Sequence, residues 1–141
     1  MSKSVPLGAG PIVIADHMTR SPITVEKTTS LAAALKIMEE HGFRHLPVVE
    51  QDKLLGVVSE RELRCLENME GFNSAHCVVE DFTLGPTYAV APDALVRDVA
   101  HEMAVRKLGS AVVVEGTKVV GMFTTVDALR VLAGVLGAGA S

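Results

Sequence analysis

Gly121-Met122-Phe123-Thr124-Thr125-Val126-Asp127 sits where a strand hands over to a helix, and the rest of the chain is organised around it. The β-branched run Ala111-Val112-Val113-Val114 just before it reads as a buried strand. Glu115-Gly116-Thr117-Lys118 is a short polar turn that closes a hairpin, with Val119 to Phe123 as the return strand. A helix follows, expected over Ala128 to about Leu136. A hydroxyl, free backbone N–H groups and a carboxylate thus converge at one junction. A helix N-terminus attracts anions, and a carboxylate beside it can accept hydrogen bonds from a sugar diol. Two readings stand: a receptacle for a nucleotide, or simple capping of the helix by Thr124 or Asp127.

The stretch occurs twice. An ungapped shift of 65 residues lays Ile14–Glu62 on Val79–Asp127. Asp16 falls on Asp81, Val25 on Val90, Met38 on Met103, Lys53 on Lys118 and Gly56 on Gly121. Ser59 falls on Thr124, and Glu62 on Asp127. The chain is an internal repeat.

With 141 residues, neither repeat is large enough to be comfortable alone, so a shared core is expected. Apolar residues make up 48% of the chain, which argues against general disorder. The net charge is −4 with no basic block, which argues against nucleic acid as the main partner. No apolar run reaches bilayer length and no signal-peptide core opens the chain, so no membrane partner is expected and the expected location is cytoplasmic. Cys65 and Cys77 lack metal-ligand spacing and read as reduced thiols. The histidines are scattered, so no metal site is expected.

In order, residues 1–11 read as a flexible arm, 12–70 as the first repeat, 71–77 as a linker, 78–136 as the second repeat and 137–141 as a fraying tail. Ile12-Val13-Ile14 and Ile23-Thr24-Val25 read as short strands. Thr28, Thr29 or Ser30 caps a helix whose inner stripe is Leu31, Ala34, Leu35 and Met38, and Gly42 ends it. Leu46–Val49 and Leu54–Val58 form the matching hairpin, followed by a helix from Ser59 to about Glu70. In the second repeat Asp93 is the expected cap and Gly109 the expected end of the first helix. Each repeat reads strand, helix, strand, strand, helix, an α/β unit with a small mixed sheet.

These residues resemble a known family. Asp16-His17-Met18-Thr19, Pro22-Ile23-Thr24-Val25, Arg44-His45-Leu46-Pro47-Val48-Val49 and Gly56-Val57-Val58-Ser59, with the second-repeat segments Val79–Phe82 and Gly121–Asp127, make each repeat similar to a cystathionine-β-synthase (CBS) domain. The pair resembles a stand-alone Bateman module. The resemblance implies two repeats packed sheet to sheet about a pseudo-twofold axis, two clefts, a homodimer, and an adenosine-containing ligand: AMP, ADP or ATP, with S-adenosylmethionine or NAD as alternatives. It also implies a regulatory role exerted on a separate effector protein; that the chain is no enzyme is an expectation from the residues themselves.

Carried over by position, the ribose carboxylate is Asp127 in one cleft and Glu62 in the other, with hydroxyls at Thr124 and Ser59. The resemblance surrounds Asp127 with Met18, Ser21, Ile23, Phe43, Arg44, His45 and Val126. It surrounds Glu62 with Arg61, Thr83, Pro86, Tyr88, Leu108 and Gly109. Arg44 and His45 are the phosphate-facing cations, absent from the equivalent Gly109-Ser110. Glu62 stands where Asp is expected, moving the carboxylate outward by about 1.5 Å, so the Asp127 cleft is the expected stronger site. No nucleophile–base pair or unexplained carboxylate pair suggests a catalytic residue. The alternative reading is a dimerising interaction module that binds no ligand.

Overall fold

The structure, a computed structural model, describes residues 10–20, 22–83 and 87–140, with side chains to 137. The expected flexible arm lies almost wholly outside the described residues, as do Ser21, Pro86 and Ser141. The chain forms two compact units that do not follow sequence order. One joins residues up to 20 with 88–116 and 120–140; the other joins 22–83 and Thr87 with 117–119.

In the first-repeat unit, β2 (Val25–Glu26) runs parallel to β3 (His45–Glu50), and β3 pairs antiparallel with β4 (Lys53–Ser59). The hairpin turn Gln51-Asp52 has positive φ at both positions, 50° and 69°, which matches the right-handed twist of the flanking strands. Between β2 and β3 lies α1 (Leu31–His41). Of the three candidate caps, Ser30 is the one used: its Oγ accepts from Ala33 N at 3.1 Å. Gly42, in the left-handed region at φ 70°, ends the helix as expected. α2 (Glu60–Glu67) follows β4 directly. Leu31, Ala34, Leu35 and Met38 bury the expected stripe against Leu46, Val48, Val58 and Leu63. Val79 completes this core from a 3-10 turn, Val79–Phe82, held by Val79 N to Thr29 O at 2.8 Å and Glu80 N to Lys27 O at 3.2 Å.

The second-repeat unit has the same plan. β5 (Ala89–Val90) runs parallel to β6 (Ser110–Glu115), α3 (Val96–Arg106) lies between them, and β7 (Lys118–Thr124) leads into α4 (Thr125–Ala140). Here the entering segment comes from the start of the chain. A 3-10 turn, Ile14–Asp16, docks through Ile14 N to Ala94 O at 2.9 Å and Ala15 N to Pro92 O at 2.8 Å. β1 (Thr19–Arg20) then pairs antiparallel with β7. Ile14 is fully buried among Val96, Val99, Met103, Val113 and Phe123.

Four expectations are corrected. Ile12–Ile14 is not a strand: Val13 makes one bridge, to Leu95, before the 3-10 turn begins. Asp93 does not cap α3; the N-cap is Leu95, and the helix N–H of Val96 is satisfied by the Ile12 carbonyl at 2.9 Å. α3 ends at Arg106 rather than Gly109, because Lys107 takes the left-handed conformation and Leu108 N closes onto Met103 O at 2.8 Å. The Gly/Ala-rich end does not leave the helix: α4 continues to Ala140.

Candidate functional site

Each repeat ends in the same junction, a strand whose last hydroxyl residue meets a carboxylate three positions on. At the second-repeat junction Asp127 Oδ2 accepts from Thr124 N at 2.9 Å and from Thr124 Oγ1 at 3.2 Å. Asp127 N donates back to Thr124 Oγ1 at 3.3 Å. This reciprocal arrangement is a capping box, so both residues cap. Asp127 is only 5% exposed and is the one buried charged side chain among the described residues. Oδ2 takes the capping bonds, while Oδ1 faces the exposed Arg130 guanidinium at 3.7 Å. A carboxylate has about four acceptor positions, so capping leaves capacity for a diol. Thr125 adds two bonds to the Gly109 carbonyl, from N at 3.1 Å and from Oγ1 at 3.2 Å. A side chain at Gly121 would run into Met18 Sδ and stand 3.0 Å from the Thr19 carbonyl, so glycine lets β1 approach β7.

At the first-repeat junction Ser59 Oγ donates to Glu62 Oε1 at 3.1 Å and accepts from Glu62 N at 3.2 Å. The backbone bond that Thr124 N makes has no counterpart, and Glu62 is exposed where Asp127 is buried. The longer side chain still caps, but from outside. Glu60 N donates to the Arg44 carbonyl at 2.8 Å, and His45 stands opposite Ser59 in the β3–β4 ladder. Burial pushes the His45 pKa below its ordinary value; Glu62 opposes that shift and Arg44 adds to it. Gly56 lies against Thr83 and Thr87 in the way Gly121 lies against Met18.

The structure sorts the expected ligand residues by repeat. Met18, Tyr88, Leu108, Gly109, Thr124, Val126 and Asp127 fall in one unit; Ile23, Phe43, Arg44, His45, Ser59, Arg61, Glu62 and Thr83 fall in the other. Met18 shares a unit with Asp127, and Thr83 with Glu62. Ile23, Phe43, Arg44 and His45 share a unit with Glu62, and Tyr88, Leu108 and Gly109 share one with Asp127. The reason is the ladder. Residues after α1 enter β3, which pairs with β4 of the same repeat, so Arg44 and His45 arrive beside Ser59. Only the entering 3-10 segments, ending near Met18 and Thr83, belong to the unit of the other repeat.

Two contributors were not anticipated. Arg130 lies three residues beyond Asp127, a helical spacing that would have flagged it. Arg106 places its guanidinium 5.1 Å from the centre of the Tyr88 ring, and burial raises the Tyr88 pKa. Among the described residues no group of His, Cys, Asp or Glu could hold a metal ion, and no helix is long and apolar enough to cross a membrane.

The family described as CBS domain matches residues 14–67 and 76–134. An inosine-5'-monophosphate dehydrogenase of Korarchaeum cryptofilum is 30% identical over 109 residues, 77% of this chain and 22% of that protein. The chain spans less than half the length of the curated relatives it matches first. The solved structure of an acetoin utilization protein, AcuB, of Vibrio cholerae has a TM-score of 0.80 at 30% identity, covering 91% of this chain and 95% of that one. A CBS-domain pair solved with 5'-methylthioadenosine and S-adenosyl-L-methionine has the same fold, with a TM-score of 0.80 at 24% identity over 89% of this chain and 98% of its own.

Proposed function

Since the chain belongs to the CBS-domain family, with two tandem domains, we propose that it is a regulatory module that binds an adenosine-containing nucleotide at its strand–helix junctions and signals to a separate protein. The observation that carries this reading is Asp127, a buried carboxylate whose Oδ1 takes no capping bond and faces only the exposed Arg130 guanidinium, at 3.7 Å. A ribose diol supplies two donors to such an oxygen, and charge-assisted bonds of this kind are worth about 1.5–3 kcal/mol each. At the start of α4 Thr125 N and Asp127 N are already bonded, to Gly109 O and Thr124 Oγ1, so a phosphate there gains from the helix dipole rather than from a row of free donors. The CBS pair solved with two adenosyl ligands supports the ligand class.

The two junctions divide the work in this reading. The Asp127 junction has the better carboxylate and no cation at Gly109-Ser110. The Glu62 junction has an exposed carboxylate with Arg44, His45 and Arg61 in its unit, so its affinity depends more on phosphate charge. A thermal-shift panel of adenosine, AMP, ADP, ATP, NAD, S-adenosylmethionine and UTP tests this, because a ligand that binds only the native state raises its melting temperature. Adenosine compounds stabilise and UTP does not; equal stabilisation by uridine and adenosine nucleotides contradicts the reading. Arg44→Ala weakens ATP more than adenosine.

The module acts as a homodimer in this proposal. Val126, Leu129, Leu132, Val135 and Leu136 on α4 are 43–64% exposed, an uncovered apolar face. The same face also favours a second reading, an interaction module whose junctions cap their helices and bind nothing. A flat response across the ligand panel with intact dimerisation selects that one.

A further inference from the structure

Away from both junctions, the first-repeat unit carries a pair of like charges that nothing in the nucleotide reading uses. β4 and the start of β7 pair antiparallel with Lys53 directly opposite Lys118, and Leu54 N fixes the register by donating to Thr117 O at 3.2 Å. Residues opposite each other in such a ladder project to the same face, with Cβ atoms about 4.5–5.5 Å apart, and like charges there repel. Both lysines are exposed, and neither forms an ion pair among the described residues. Glu50, opposite Lys53 on the other side, is already held by Lys27 at 3.0 Å. Asp52 and Glu115 are the other carboxylates at this end of the strands, and neither pairs with a lysine. Lys53 and Lys118 occupy the same position in the two repeats, so equivalent residues supply both charges. The turns that hold them are tight, with positive φ at Gln51, Asp52 and Gly116.

We infer that Lys53 and Lys118 form a binding site for a multiply charged phosphate oxyanion, free phosphate or a polyphosphate chain, separate from the nucleoside sites. An anion with two or more charges bridges the two ammonium groups and turns a repulsive pair into an attractive one; a chloride ion cannot bridge both with equal gain. A site made of exposed charges is weak and salt-sensitive.

Thermal melts of the full chain at low ionic strength test this, with inorganic phosphate and tripolyphosphate in separate arms and sodium chloride at matched ionic strength as control. Tripolyphosphate at roughly ten times its Kd raises the melting temperature by about 4 °C above the chloride control, and phosphate does so more weakly. The increment disappears in Lys53→Gln/Lys118→Gln and is halved or more in Lys118→Gln, while Lys36→Gln, which removes an exposed lysine of α1, retains it. Without anion, Lys118→Glu melts higher than the unmodified chain at low salt. No excess over chloride, or an excess kept in full by the double variant, overturns the inference. The double variant's response to adenosine, which has no phosphate, is unchanged, so failure here is separable from failure of the nucleotide reading.

Discussion

Asp127 has two oxygens with different neighbours. Oδ2 faces the helix start and closes the capping box; Oδ1 faces an exposed guanidinium. The three-residue spacing of Thr124 and Asp127 is a helix-start signal in the sequence, which is why capping and ligand binding were both legible there and could not be separated. Capping uses Oδ2, so the proposed ribose contact falls to Oδ1 without cost to the cap. Asp127→Ala removes the cap and lowers stability by about 0.5–2 kcal/mol, measurable by urea denaturation. His45 gives a pH prediction. Its folded-state pKa lies below its ordinary value because it is buried. The unfolded chain therefore binds a proton that the folded chain resists, and stability is full above about pH 6.5 and falls as pH drops through the folded pKa. His45→Gln flattens the pH dependence of the melting temperature between about pH 7 and 5; an unchanged slope would place the acid sensitivity elsewhere.

Among the elements, β7 meets a close neighbour at Gly121. Val119 to Phe123 was legible as a strand from β-branched content, but the need for glycine at 121 was not, since the close neighbour is Met18, more than a hundred residues away in sequence. Gly121→Val forces β1 off β7 and costs about 1–3 kcal/mol as overpacking; a melting temperature within a degree of the parent would show that Met18 simply moves aside. α4 shows the opposite case. Its Gly/Ala-rich end reads as a fraying tail by propensity, yet α4 runs to Ala140. The apolar side chains along it exceed what the core needs: Val131 is buried, while Leu129 and Leu132 stay 58% and 51% exposed. α2 at the equivalent positions carries Arg64 and Glu67, tied to each other and to Glu39 and Glu60. Leu129→Glu/Leu132→Glu therefore turns the proposed dimer into a folded monomer by light scattering, and Arg64→Glu leaves the dimer in place. A monomeric parent chain at micromolar concentration would remove the dimer from the account.

At the scale of the molecule, the repeat and its α/β plan were legible because the apolar positions keep register over 49 aligned residues without a gap. Which core each entering segment fills was not. Ile14 and Val79 are equivalent, and both are fully buried, so the hydrophobic pattern is the same whether each segment packs on its own repeat or on the other. The structure places Ile14 with the second repeat and Val79 with the first. Arg44 and His45 take no part in that exchange; the β3–β4 ladder of their own repeat keeps them in the unit of Glu62. Titration calorimetry of AMP into the unmodified chain, Glu62→Ala and Asp127→Ala tests the central claim, that the buried carboxylate of Asp127 holds the ribose. The account predicts a tight event that survives Glu62→Ala nearly intact and loses tenfold or more in affinity in Asp127→Ala. Loss of the tight event in Glu62→Ala, with Asp127→Ala binding like the parent, would contradict it.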